Sequence, residues 1–137
     1  MLRRTRILAA VLAAAVAGVT LASCSNSTSS SGLTPQQMQG NYTLTSFTAP
    51  PNPTLGPPLA TGTLALTLTN WTLVLNITGS PTEYDGGTYT IDGNTFSEHS
   101  DSTGFTYNGT ATLVNGDSLT VDVLAAGVQV SSTWHKN

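Results

Sequence analysis

The chain has 137 residues, is 39% hydrophobic and carries four basic against seven acidic residues, a formal net charge of −3. Three arginines lie within the first six residues, and beyond them one lysine, Lys136, stands against all seven acids, a formal charge of −6. Because nucleic-acid binding relies on clusters of Lys and Arg, this balance excludes nucleic acid and favours a cationic partner. A single cysteine excludes an intramolecular disulfide.

The N-terminal segment has the order of a signal peptide. A basic start is followed by an apolar run over residues 7–21 that is too short to cross a hydrocarbon core of about 30 Å. The run ends at Leu21-Ala22-Ser23-Cys24, which resembles the lipobox of bacterial lipoprotein precursors. The resemblance implies a signal peptide over residues 1–23, cleavage before Cys24 and diacylglycerol, later joined by fatty acid such as palmitate, on its sulfur.

The same resemblance predicts where the protein is found. The lipid on Cys24 would hold it in the cell envelope, anchored outside the cytoplasm. The membrane would be the outer membrane in a diderm organism and otherwise the outer face of the cell membrane. Residues 24–39, rich in Ser, Asn and Thr at the start, predict a lipidated, disordered tether. Thr34-Pro35-Gln36-Gln37 could open a short helix, with Thr34 as the N-cap.

Residues 40–137 predict a single all-β domain. Apolar side chains alternate with Thr, Ala, Val or Asn, and turn sequences such as Asn115-Gly116 separate the alternating runs. Ser80-Pro81 opens a longer predicted loop that ends at Asp85-Gly86-Gly87. Gly109 keeps the phase of its neighbours and is read as part of a continuous strand. The count is eight strands, which predicts a small antiparallel up-and-down barrel.

The inward phase of these strands predicts a mostly filled core with both tryptophans buried and with any ligand confined to a shallow mouth. The predicted interior residues are Tyr42, Leu44, Leu64, Leu66, Leu68, Trp71, Leu73, Leu75, Ile77, Tyr89, Ile91, Phe96, Phe105, Tyr107, Leu113, Leu119, Val121, Val123, Val128, Val130 and Trp134.

The opening Gly40-Asn41-Tyr42 and the final Ser132 to Lys136, with eight strands between them, resemble a minimal lipocalin-like (calycin) domain. In lipocalins a Gly-x-Trp on the first strand packs near a basic residue on the last strand. The resemblance therefore implies that Tyr42 takes the place of the Trp and that Lys136 or Trp134 completes the contact.

Candidate binding residues are few. Glu98 shares the inward phase of Phe96, so it is either a carboxylate that orients a ligand or a solvated residue at the barrel mouth. Leu55 lies in the proline-rich loop 50–58, which the lipocalin resemblance suggests is a lid. His99 and His135 have the outward phase. The sequence predicts no metal site, no cofactor and no enzyme, because no converging ligands and no Ser-His-Asp spacing are found.

Two functions follow as alternatives. The first is binding of a small apolar or amphipathic ligand at the barrel mouth. The second is protein interaction in the cell envelope, for example inhibition of a cationic lytic enzyme, which the charge of −6 favours. Small anchored eight-stranded barrels that resemble lysozyme inhibitors carry cysteines and a Ser/Lys loop that this chain lacks, and Ser102-Thr103-Gly104 is a faint echo of that loop.

Overall fold

The computed structural model describes residues 32–137, so the predicted signal peptide and Cys24 lie outside the described residues. The elements are α1 Pro35–Met38, β1 Gly40–Thr48, β2 Ala60–Leu66, β3 Asn70–Ile77, β4 Glu83–Asp92, β5 Thr95–Ser100, β6 Thr106–Val114, β7 Ser118–Ala125 and β8 Val128–Lys136. Each strand pairs antiparallel with the next, and β1 pairs with β8 to close the barrel. The predicted eight-stranded, all-β, up-and-down barrel is confirmed.

Short turns with positive φ join most of these strands. Asn115 and Gly116, between β6 and β7, have φ of 54° and 79°, as hairpin turns of this length require. Ala126 and Gly127, between β7 and β8, have φ of 50° and 81°. The second turn places an alanine in the left-handed region, which costs free energy and which the sequence did not reveal.

α1 closes one end of the barrel, which we call the floor. The side chain of Thr34 caps the helix in a capping box with Gln37, as predicted. Met38 is fully buried, and the hydroxyl of Tyr42 donates a hydrogen bond to its carbonyl oxygen at 2.6 Å. The chain from Leu33 onward, which the sequence analysis placed in the tether, therefore packs with the barrel core.

The contact implied by the lipocalin resemblance is present on the same end. Tyr42 and Lys136 are paired across β1 and β8, and the ammonium nitrogen of Lys136 lies 5.7 Å from the centroid of the Tyr42 ring. Lys136 also donates to the carbonyl oxygen of Gln37 at 3.4 Å. Lys136 rather than Trp134 thus covers the first-strand aromatic residue, in a cation–π contact at the floor.

The core follows the predicted inward phase, with three exceptions. Trp71 and Trp134 are 5% and 4% exposed, which confirms their predicted burial. Leu68, Phe105 and Val128 were predicted to point inward, and this is wrong, since they are 46%, 65% and 37% exposed. Leu68 lies in the turn after β2, Phe105 precedes β6, and Val128 opens β8 at the barrel rim, so none is held by two neighbouring strands over a covered interior.

Two strands differ from the sequence pattern. β4 begins at Glu83, within the stretch predicted to be a loop. In β1 the register shifts between Leu44 and Ser46, and this β-bulge turns Phe47 into the interior.

β6 runs continuously through Gly109, as predicted, and a Cβ there would lie 1.7 Å from the carbonyl oxygen of Asp122. Only glycine allows that close approach of β6 and β7.

Candidate functional site

A partly enclosed cavity of about 150 Å³ lies inside the barrel. It is bordered by Met38 at the floor and, toward the opposite end of the barrel, which we call the mouth, by Phe47 and Val130. Its walls are Met38, Phe47, Leu64, Leu66, Trp71, Leu73, Leu75, Asp85, Phe96, Glu98, Val121, Val123, Val130, Ser132 and Trp134. The free space therefore extends deeper than the shallow mouth that the sequence predicted, although its volume is well below that of a drug-sized pocket.

Glu98 lines this cavity and is half-buried. On β5 it lies between Tyr89 of β4 and Tyr107 of β6, its partners in the two ladders. Burial, together with the negative charge of Asp85, raises the pKa of Glu98 to about 7. Its carboxylate makes no hydrogen bond to any side chain or backbone group of residues 32–137, so it stands free for a ligand.

Asp85, the second carboxylate of the cavity, is fully engaged. The Ser100 hydroxyl donates to its two oxygens at 2.9 and 2.7 Å, the Ser102 hydroxyl donates at 2.7 Å, and the Gly86 backbone N–H donates at 2.7 Å. Burial alone would raise the pKa of Asp85, but these hydrogen bonds to Ser102, Ser100 and Gly86 outweigh it and lower the pKa. Asp85 is thus a fixed negative charge.

Trp71 supplies a buried polar atom without a partner. Its indole Nε1 makes no hydrogen bond to any residue of the described chain, although the residue is only 5% exposed and lines the cavity. Trp134, by contrast, donates from Nε1 to the Ser132 hydroxyl at 2.8 Å. A buried donor without an acceptor is costly, about 1–3 kcal/mol. The nitrogen itself is closed off from the cavity, so this is a cost of packing and not a contact point for a ligand.

Leu55, the other predicted ligand-binding residue, lies outside the cavity wall. It is half-buried against the core, and its backbone exchanges two hydrogen bonds of 2.8 Å with Phe47. The Thr48 and Thr54 hydroxyls are 2.7 Å apart beside it. The loop 50–58 is therefore fastened to the end of β1, next to Phe47, which does line the cavity.

The remaining candidates face elsewhere. His135 is exposed, and His99 is half-buried with Nδ1 at 3.2 Å from the Thr106 hydroxyl. The Ser102 hydroxyl bonds to Asp85, and that of Thr103 lies 3.2 Å from the Tyr107 hydroxyl. These bonds engage two hydroxyls of Ser102-Thr103-Gly104, the faint echo of an inhibitory loop, within the barrel. The net charge of −6 remains the argument for the inhibitor hypothesis.

Sequence reasoning missed four cavity residues, of which Met38 was placed in the predicted tether. Asp85 falls in a stretch interpreted as a loop, yet the inward phase of Tyr89 continued backward by two residues at a time would have found it. Ser132 lies in phase with Trp134 and was passed over because it is polar. Phe47 could not be found in this way, because the β-bulge in β1 reverses the phase.

Residues 32–137 offer neither a metal-binding cluster nor a membrane-spanning helix. In that part of the chain no group of three or more His, Cys, Asp or Glu residues is arranged to hold a metal ion. Across the same residues, no helix combines the length and the apolar character that a membrane span needs.

Comparison with known proteins bears on the fold alone. No protein-family model matches the sequence, and no curated protein matches it. Among solved structures, a de novo designed fluorescence-activating β-barrel matches with a TM-score of 0.53 and 15% identity, covering 75% of this chain and 96% of its own. A redesigned β-barrel matches with a TM-score of 0.56 and 14% identity, covering 80% and 99%. The shared fold is a closed antiparallel β-barrel.

Proposed function

We propose that this protein is a lipid-anchored binding protein of the cell envelope, which holds a small, mainly apolar molecule inside its barrel. The observation that carries the proposal is the cavity of about 150 Å³, whose wall combines apolar side chains with the free carboxylate of Glu98. Binding sites for small molecules have this composition, a largely apolar wall with a few polar groups that fix orientation.

The volume of the cavity limits the size of the ligand. An engineered apolar cavity of about 150 Å³ in another protein stays dry and binds benzene. We therefore expect a ligand of about one ring with a short substituent. The two carboxylates lie on one side of the barrel, since Asp85 and Glu98 belong to the neighbouring strands β4 and β5. A ligand with one polar end and one apolar end fits this division.

The anchor belongs to the proposal as well. Cys24 ends a lipobox-like sequence, and residues 25–31 separate it from the described domain. A chain of this length reaches at most roughly 25–30 Å when fully extended. The barrel would thus work within a short distance of the membrane surface, and its partners would be the bilayer through the lipid and the bound small molecule.

Titration of the purified protein with toluene tests the binding proposal. We expect a dissociation constant on the order of 0.1 mM, about 5 kcal/mol, which lies within the ceiling of about 1.5 kcal/mol per heavy atom for very small ligands. Two tryptophans in the wall make their fluorescence a direct readout, and NMR line broadening of toluene gives a second one.

A matched pair of variants separates the cavity from the surface. Val130→Phe fills space at the cavity wall and should weaken toluene binding at least about tenfold. Val114→Phe makes the same change at a residue that is 52% exposed and should leave binding unchanged. Circular dichroism and a thermal melt establish that both variants fold. Equal binding of toluene by the two folded variants, or a parent protein that binds none of toluene, benzyl alcohol and benzylamine, would contradict the proposal.

A further inference from the structure

The cavity wall carries acidic side chains and no basic ones. It contains two carboxylates, Asp85 and Glu98, and no Lys, Arg or His. Lys136, the one lysine or arginine within residues 32–137, lies at the floor over the Tyr42 ring. The described part of the chain therefore brings no cation of its own to either carboxylate.

The two carboxylates differ in what they still need. Asp85 already accepts hydrogen bonds from two serine hydroxyls and the Gly86 N–H, and these compensate its charge. Glu98 has no such donor among residues 32–137. Removing a carboxylate from water without a partner is costly, and a cation placed against it offsets that cost. A ligand with a positive charge would supply the partner that residues 32–137 do not provide for the Glu98 carboxylate.

The aromatic part of the wall favours the same ligand. Phe47, Trp71, Phe96 and Trp134 line the cavity. The faces of aromatic rings attract ammonium groups, most strongly where water is excluded, and their surfaces also bury an apolar ligand body. Aromatic rings together with carboxylates therefore form a wall suited to an organic cation.

Resting on the proposed function, we infer that the ligand is a small primary amine, whose ammonium group binds Glu98 and whose apolar body packs against Trp71, Phe96 and Trp134. The unpartnered Trp71 N–H cannot serve the ammonium group, since both are donors. Its nitrogen is closed off from the cavity, so it takes no part in binding. Charge decides the class of ligand, because the half-buried carboxylate of Glu98 lines the cavity and has no cation beside it among residues 32–137.

The amine should bind in a pH-dependent way. The titratable groups that face Glu98 are Asp85 and Tyr89 on β4 and Tyr107 on β6. Only the ionised form of Glu98 attracts an ammonium group, and its pKa is about 7. Between pH 6 and pH 8 the ionised fraction rises about tenfold, so the affinity for an amine that stays cationic over this range should rise about tenfold.

Three probes of similar size test the inference on the purified protein: benzylamine, benzyl alcohol and toluene. At pH 8, benzylamine should bind at least about tenfold more tightly than benzyl alcohol. Glu98→Gln should remove that preference, because it removes the charge and keeps the shape. Glu83→Gln is the matched control, since it removes an exposed carboxylate of β4 that lies outside the cavity wall, and it should keep the preference.

The outcomes are distinguishable. If benzyl alcohol or toluene binds as tightly as benzylamine at pH 8, ligand binding stands and the amine inference is overturned. The same holds if the affinity for benzylamine is equal at pH 6 and pH 8, a comparison that needs no variant. If none of the three probes binds, the proposed function fails together with the inference.

Discussion

Glu98 is an ionisable residue whose surroundings in the folded protein favour its protonated, uncharged form. Its pKa is raised from 4.5 to about 7 by burial and by the charge of Asp85, so the unfolded chain loses this proton at lower pH than the folded protein does. The contribution of Glu98 to stability is therefore most favourable below pH 4.5 and becomes less so as the pH rises through 7. A residue kept in this way at a cost to stability fits a binding role.

Replacing Glu98 with Gln should consequently stabilise the protein at pH 8 and change little at pH 4. We expect the free energy of unfolding at pH 8 to increase by about 1–3 kcal/mol, since one pKa unit corresponds to about 1.4 kcal/mol. Urea denaturation at the two pH values measures this difference. Glu83→Gln serves as the control, and an equal effect of both substitutions would show that net charge rather than burial is responsible.

At this scale the sequence predicted part of the site. The inward position of Glu98 followed from the phase of Phe96, because a period of two is a local property of a strand. Its unpaired state did not follow, since that depends on Ser100 and Ser102 bonding to Asp85 instead. Likewise, the missing acceptor of Trp71 is a fact of tertiary packing that no neighbour in sequence reveals.

α1 is the shortest element of the domain, yet it packs into the barrel core. It has four residues, too few to be stable as an isolated helix, yet it carries a fully buried methionine. The hydrogen bonds from Tyr42 to Met38 and from Lys136 to Gln37 fix it across the end of the barrel. Packing at the floor, not helix propensity, keeps α1 in place.

Met38→Ala should therefore destabilise the domain by about 2–5 kcal/mol, the usual cost of truncating a buried Met. Gln36→Ala changes an exposed residue of the same helix and should alter stability by no more than about 0.5 kcal/mol. Thermal and urea unfolding of both variants measure the difference. Similar stability of the two variants would mean that α1 contributes nothing to the core.

The elements themselves were largely predictable. Alternation of apolar residues and turn sequences such as Asn115-Gly116 indicated eight strands, and their order in the sheet follows the chain, as short hairpins require. The docking of α1 and the bulge in β1 were not predictable, because each depends on contacts between distant parts of the chain. The start of β4 was misjudged since Gly86 and Gly87 suggest a turn.

On the scale of the whole molecule, the barrel leaves no free strand edge, because the last strand pairs with the first along six pairs of residues. Closure of this kind removes the unpaired backbone groups that promote aggregation. A domain of this type can be crowded at a membrane surface without joining its neighbours edge to edge. The proposed lipid anchor would produce that crowding.

The anchor is tested by Cys24→Ala. We expect the variant to accumulate as an uncleaved precursor or as a soluble protein, because its thiol is the sole acceptor for diacylglycerol in the sequence. Metabolic labelling with a palmitate analogue should mark the parent protein and not the variant. Ser23→Ala, which keeps the thiol and a small residue before it, should still be labelled. A labelled Cys24→Ala protein would refute the anchor.

α1 is also the first part of the domain to bear a force applied from the proposed membrane anchor. It is the first described element after the segment that leads from Cys24, so a pull along the chain reaches Met38 before it reaches any strand. Few hydrogen bonds hold the helix, whereas β1 is paired along its length with both β2 and β8. A force applied through the N-terminal segment should therefore detach α1 while the eight strands stay paired. The barrel would then open at the floor.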